Sequence, residues 1–291
     1  MTSSLRHHKH QAGFTLIEAV VVIVITGILA GVVAIFIRMP VQNYVDSAAR
    51  AELSDIADIA MRRMARDVRR ALPNSIRVNG TTAVELMLTK TGGRYLSEDD
   101  GVTTAGTVPL SFTDPNQKQF TVVGAMPTGT QAIVGGDYIV VYNLGPGFDP
   151  SDAYTQKNMA QVDTNGVSGN VITLKSNPFA VGGSSTTMAS PGNRFQVVTS
   201  PVTYYCDTSA RTLTRYWDYA PNATMSAPPA DPNKTMKSAL LATNVTECSF
   251  NYSDVRNTRS ALLGMTIALQ RTDASEVALR LVNQVRVDNV P

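Results

Sequence analysis

Apolar and polar residues are distributed unevenly along this chain, and the pattern changes character twice. From Phe14 to Ile37 run 24 residues with a single charge, Glu18. As a helix such a run spans about 36 Å, enough to cross the hydrocarbon core of a bilayer. Beyond Pro40 the apolar residues become periodic: Val41, Val45, Ala49, Leu53, Ile56, Ala60, Met64, Val68 and Ala71 recur at helical spacing, and Pro73 marks an end. The pattern predicts one long helix over about 14–72, hydrophobic over 14–38 and amphipathic over 39–72, kinked or loosened at Pro40. After residue 73 the period shortens to two. Strands are predicted at 83–88, 137–143, 171–174, 194–198, 203–206, 212–217, 247–252, 261–269 and 276–287, separated by turn residues, with the last three as a meander. Residues 220–238, with four prolines, read as a loop, and 90–136 and 144–170 give only faint strand signals. The expected fold is α+β: a long N-terminal helix whose amphipathic half is covered by a mostly antiparallel sheet within a β-rich globular domain, 73–291.

Composition narrows the chemistry more than the fold. All three histidines, His7, His8 and His10, precede residue 13, so the body holds no imidazole for a Ser-His-Asp triad, a Cys-His pair or a zinc site. Cys206 and Cys248 are too far apart for a CxxC motif, and one disulfide formed in an oxidising compartment is the simpler reading. With 25 basic and 23 acidic residues, nothing in the balance demands a polyanionic partner.

The N-terminus poses a sharper question. Arg6 and Lys9 precede the apolar run with no acid among them, which keeps residues 1–13 cytoplasmic and sends the rest outward. No small-residue cleavage site of the secretory type follows the run. A carboxylate inside such a run is costly, so Glu18 calls for a partner unless it merely reaches the interface. The string G-F-T-L-I-E, Gly13 to Glu18, followed by about twenty apolar residues, closely resembles the class III leader and N-terminal methylation motif of type IV pilins and type II secretion pseudopilins.

The resemblance implies a pilin-like fold, with a leader (1–13) cut between Gly13 and Phe14 by a prepilin peptidase and with N-methylation of Phe14. It also implies that the helix is kept as a membrane anchor and later as filament core. A glycine before the cut has no Cβ to obstruct the protease. In the family the carboxylate at the position of Glu18 pairs with the N-terminal ammonium of a neighbouring subunit, and in low dielectric that pair enforces register. Residues 50–78 and the ending NQVRVDNVP (283–291) resemble the MshO-type minor pilins of mannose-sensitive haemagglutinin (MSHA) pili and, more loosely, J-type pseudopilins and PilW-type minor pilins. The expectation is a non-enzymatic minor pilin in a priming or tip complex, held in the bacterial inner membrane with a periplasmic C-terminal domain. Its expected partners are the peptidase, other pilin subunits, the inner-membrane assembly platform and, before assembly, lipid. A J-type pseudopilin, a tip adhesin and a membrane-anchored enzyme are the alternatives.

Three clusters invite other chemistry. Arg62, Arg63, Arg66, Arg69 and Arg70 share one helix face, but Glu52, Asp55 and Asp58 precede them on it, and Asp58 and Arg62 form a spaced pair. This favours a solvated or inter-subunit face over nucleic-acid binding. Tyr204, Tyr205, Tyr216, Trp217 and Tyr219 crowd one predicted hairpin, where one set should be core and the other exposed for subunit contact or sugar stacking. The acidic loops 97–101 and 148–154 match no spaced calcium-loop motif, so no metal or other cofactor is expected, with calcium the one alternative kept.

Overall fold

The computed structural model describes residues 13–101, 104–180, 189–253, 260–271 and 278–290. Residues 1–12, with the three histidines, lie outside them. The chain divides into two compact units, Met1–Glu52 and Leu53–Pro291. A helix, α1, runs from Leu16 to Arg69. Its backbone remains helical through Pro40.

Within the first unit α1 begins at a capped turn and continues as an apolar span, Leu16–Phe36, none of which is buried. Within the second unit its outer turns present Leu53, Ala57, Ala60, Met61, Met64, Ala65 and Val68, all buried. Leu53, Ala60, Met64 and Val68 are on the helical face predicted from the spacing, which Ala57, Met61 and Ala65 widen, whereas Val45, predicted for the same face, is 51% exposed.

Among the described residues the second unit holds twelve strands, every pairing of which is antiparallel. They are β1 (Arg77–Asn79), β2 (Ala83–Tyr95), β3 (Gln119–Val123), β4 (Tyr138–Val141), β5 (Met159–Ser168), β6 (Val171–Leu174), β7 (Arg194–Asp207), β8 (Thr212–Trp217), β9 (Lys237–Thr243), β10 (Val245–Ser253), β11 (Ser260–Leu269) and β12 (Leu279–Asp288). The last three form a separate meander, as predicted. The other nine form one sheet in the order β1-β2-β3-β6-β5-β4-β7-β8-β9, with β2 also paired to β7. That extra pairing closes β2, β3, β6, β5, β4 and β7 into a ring, which removes the free edges of six strands. Phe120, Ile139, Val162, Ile172, Phe195 and Val197 fill one core beside this ring. A second core packs the α1 stripe with Val84, Val202, Tyr204 and Leu213 of the large sheet and with Phe250, Leu263, Ile267 and Val285 of the meander.

Several expectations change. The helix ends at Arg69 rather than near residue 72, because β2 captures the next turn: the Thr89 N–H donates to Arg70 O (2.8 Å) and Leu72 N–H to Met87 O (2.7 Å). The predicted strands at 194–198 and 203–206 are one strand, β7, which runs through Pro201; Pro201 faces Met87 next to a register shift, where a missing N–H is tolerated. The predicted loop at 220–238 yields its last two residues to β9, and the faint regions supply β3, β5 and the far half of β2. Residues 276 and 277, predicted to begin the last strand, lie outside the described residues.

Candidate functional site

The N-terminal head is built from four consecutive residues. Thr15 caps α1: its Oγ1 accepts from the Glu18 N–H (3.3 Å), and its carbonyl accepts from the Ala19 N–H (3.1 Å). A hydroxyl at this position satisfies one of the orphan donors of the first turn. Glu18 therefore sits in that first turn, where a carboxylate complements the helix dipole. Its position is decided by the cap, which the sequence reading overlooked although T-x-x-E is a capping signature. Phe14 is 78% exposed and Leu16 84%. Gly27 and Gly31, one turn apart, have nothing within 4 Å of where a Cβ would stand. A face so apolar and so bare is stable only in lipid or against other helices.

In the second unit Cys206 of β7 and Cys248 of β10 are joined by a disulfide, with their Cα atoms 6.3 Å apart. It links the large sheet to the meander.

The helix arginines are exposed, and Arg62 pairs with Asp58 at 2.7 Å. Arg70 Nη2 donates to Thr89 O (3.3 Å), and Arg63 lies 3.7 Å from Asp67. Asp67 itself is the residue that sequence reasoning missed. It is 3% exposed on the core side of α1, where its Oδ2 accepts from the Tyr204 hydroxyl (2.6 Å) and from Arg215 Nε (2.9 Å). Arg215 in turn lies over the Trp217 ring, 4.8 Å from its centroid. Burial, then the Asp67 carboxylate, push the Tyr204 phenol above its ordinary value. The signal was available: strand alternation places Arg215 on the same face as buried Leu213, and an inward arginine requires a carboxylate.

A second buried pair lies in the same unit. Glu85 is bound by Arg77 Nε and by the Tyr219 hydroxyl (2.7 Å), which also shares a hydrogen bond with Thr203 (2.6 Å). Each nitrogen of Arg77 has a partner: its Nη1 and Nη2 donate to the carbonyls of Ala223 (2.8 Å) and Asn222 (2.7 Å), and the guanidinium lies over Tyr154. Burial raises Tyr219, with Glu85 adding to the shift. Of the predicted aromatic set, Tyr204 and Tyr219 are core, whereas Tyr205, Tyr216 and Trp217 are half-buried rather than exposed.

The acidic loops are engaged internally. Ser97 and Asp100 form a capping box and Asp100 pairs with Arg94 (3.2 Å); Asp152 caps Tyr154 (2.9 Å), and Asp149 pairs with Lys157 (2.6 Å). Among the described residues no group of three His, Cys, Asp or Glu side chains is placed to hold a metal ion.

Residues 8–34 match the family model described as the prokaryotic N-terminal methylation motif. The chain carries that motif. The match covers Gly13, Phe14, Glu18 and most of the apolar span, and leaves the β-rich body outside it. No curated protein and no solved structure matches the chain.

Proposed function

We propose that the chain is a minor pilin of an MSHA-like type IV pilus, made as a precursor and working by assembly without a cofactor or catalytic step. One observation carries the reading: a matched methylation motif places Gly13, Phe14 and a first-turn Glu18 at the head of an apolar helix that its own fold leaves bare. In this reading a prepilin peptidase cuts after Gly13, Phe14 is N-methylated, and the new ammonium of one subunit pairs with Glu18 of the next. Residues 14–38 serve as anchor and filament core, 39–72 as the amphipathic half of the helix, and 73–291 as the periplasmic domain. The body then offers its surface to other pilins and to the assembly platform. The likeness of residues 50–78 and 283–291 to MshO-type chains supports the pilus assignment over a secretion pseudofilament.

The deciding experiment is intact mass with N-terminal sequencing of the membrane-extracted protein, from cells with and without the peptidase. A chain beginning at N-methyl-Phe14 only when the peptidase is present is the expected result. A chain beginning at Met1 in both strains rejects the proposal and leaves residues 14–37 as an ordinary anchor.

A further inference from the structure

A groove of about 460 Å³ lies beside the outer turns of α1 and the β7–β8–β9 end of the large sheet, lined by Arg63, Leu88, Val202, Arg215, Trp217 and Leu241 among others. Its charges do not balance. Arg63 and Arg215 share one carboxylate, Asp67, and Asp67 is already taken up by Arg215 and Tyr204. The trio therefore keeps one net positive charge, while Asp218 on the groove wall is neutralised by Lys237 at 2.8 Å.

Arg215 is the informative member. It is 6% exposed, fixed at Nε by Asp67 and placed over the Trp217 ring. Arg77, partly buried, has Nε, Nη1 and Nη2 all bound to protein oxygens. Arg215 does not: beyond Asp67 and the neighbouring Tyr204 phenol, its donors meet no acceptor among the described residues, yet none of its nitrogens is sealed from solvent without a partner. The remaining donors of the fork therefore open into the groove. A guanidinium is a planar fork suited to a carboxylate, and one net positive charge is what a single carboxylate neutralises. Trp217, Leu88, Val202 and Leu241 supply an apolar and aromatic wall for whatever carries it.

We propose that this groove binds a single carboxylate borne on a ring or apolar framework, anchored by Arg215 and Arg63 with Trp217 as the stacking wall. The proposal is independent of the assembly reading, since it rests on residues of the second unit alone.

Trp217 is the only tryptophan in the chain, so intrinsic fluorescence reports on this groove directly. The full chain in a non-ionic polyoxyethylene detergent is titrated with glucuronate and with N-acetylphenylalanine, each beside its neutral counterpart, glucose and N-acetylphenylalaninamide, and with inorganic phosphate. A saturable response to at least one carboxylate, absent with its neutral counterpart and weaker with phosphate, is expected. Preference for glucuronate identifies an acidic sugar as the source, and preference for N-acetylphenylalanine a peptide carboxylate. Arg63→Gln, a half-exposed change that keeps the Arg215 pair, weakens that response about tenfold. Arg215→Lys keeps a cation against Asp67 but removes the fork, and its fold is checked by circular dichroism. No saturable response to either carboxylate overturns the proposal. So does an equal response to the neutral compounds or to phosphate, or an unchanged affinity in Arg63→Gln.

Discussion

At the scale of single residues, the chain matches its buried carboxylates inside the fold and leaves another exposed. Asp67 and Glu85 are buried and each is met by an arginine and a tyrosine. Glu18 is exposed at the head of a bare apolar helix. If it serves to pair with the ammonium of another subunit, Glu18→Val changes assembly and nothing earlier. The variant is expected to be cleaved after Gly13 and to remain in the membrane, yet to be missing from filaments sheared off the cells. Wild-type amounts in the sheared fraction would reject the pairing. A second prediction concerns the buried tyrosines. Burial pushes the Tyr95 phenol up to about 12, and raises Tyr154, Tyr204 and Tyr219 as well. In the unfolded chain these groups ionise near their ordinary value of about 10. Between about pH 10 and 12 the unfolded state therefore binds fewer protons than the folded one, and stability falls as pH rises. Denaturant midpoints measured from pH 8 to 11 should hold steady and then drop above about pH 10. A midpoint that stays flat to pH 11 would contradict the burial of these phenols.

At the scale of elements, two sheets are held together by the α1 stripe and by one covalent link. Cys206–Cys248 closes a segment of sequence separation 42, which by loop-closure entropy is worth roughly 4 kcal/mol. Replacing both cysteines by serine is expected to lower the melting temperature by roughly 8–16 °C, since a domain of this size loses about 2–4 °C per kcal/mol. Calorimetry on the oxidised chain and the double variant tests this, and a shift below about 3 °C would show that packing alone holds the meander. How much of this was legible follows from the elements themselves. The helix and the meander carry strong periodicity, and 261–269 reads as a strand whatever surrounds it. β7 reads as two strands because Ser200-Pro201 looks like a break, and only the bulged partner β2 explains why it is not. β9 follows a proline-rich loop and is largely exposed, so it becomes a strand only by pairing with β8. β3 and β5 are stabilised by closure of the ring, a long-range pairing with no local signature. The same holds for the candidate sites. The motif at 13–18 is contiguous and was legible; the Asp67–Arg215 pair joins positions 148 residues apart and needed the fold to bring it together.

At the scale of the whole molecule, the question is whether anchoring and folding are separable. The second compact unit begins at Leu53, and the buried stripe from Leu53 to Val68 contributes to its core along with the Asp67 carboxylate that Arg215 requires. A fragment beginning at residue 53 keeps all of this. A fragment beginning at residue 73 loses the stripe and leaves Arg215 buried without its carboxylate, a cost of several kcal/mol on top of the lost apolar contacts. Exported to the periplasm, the 53–291 fragment is therefore expected to fold, form the Cys206–Cys248 disulfide and resist proteolysis, whereas 73–291 is expected to be degraded. In a strain lacking the full-length protein, surface piliation should fall, and the folded 53–291 fragment should fail to restore it because it has neither the apolar helix nor Glu18. Electron microscopy of the pili, read beside the protease assay, separates the outcomes. Restoration by the fragment would show that the β-rich body acts without entering the filament. Normal piliation in the deletion strain, with loss of a secreted protein instead, would move the chain from the pilus to a secretion pseudofilament. If 53–291 failed to fold while the full chain did, the helix N-terminal to Leu53 would be part of the folding unit rather than an appendage to it.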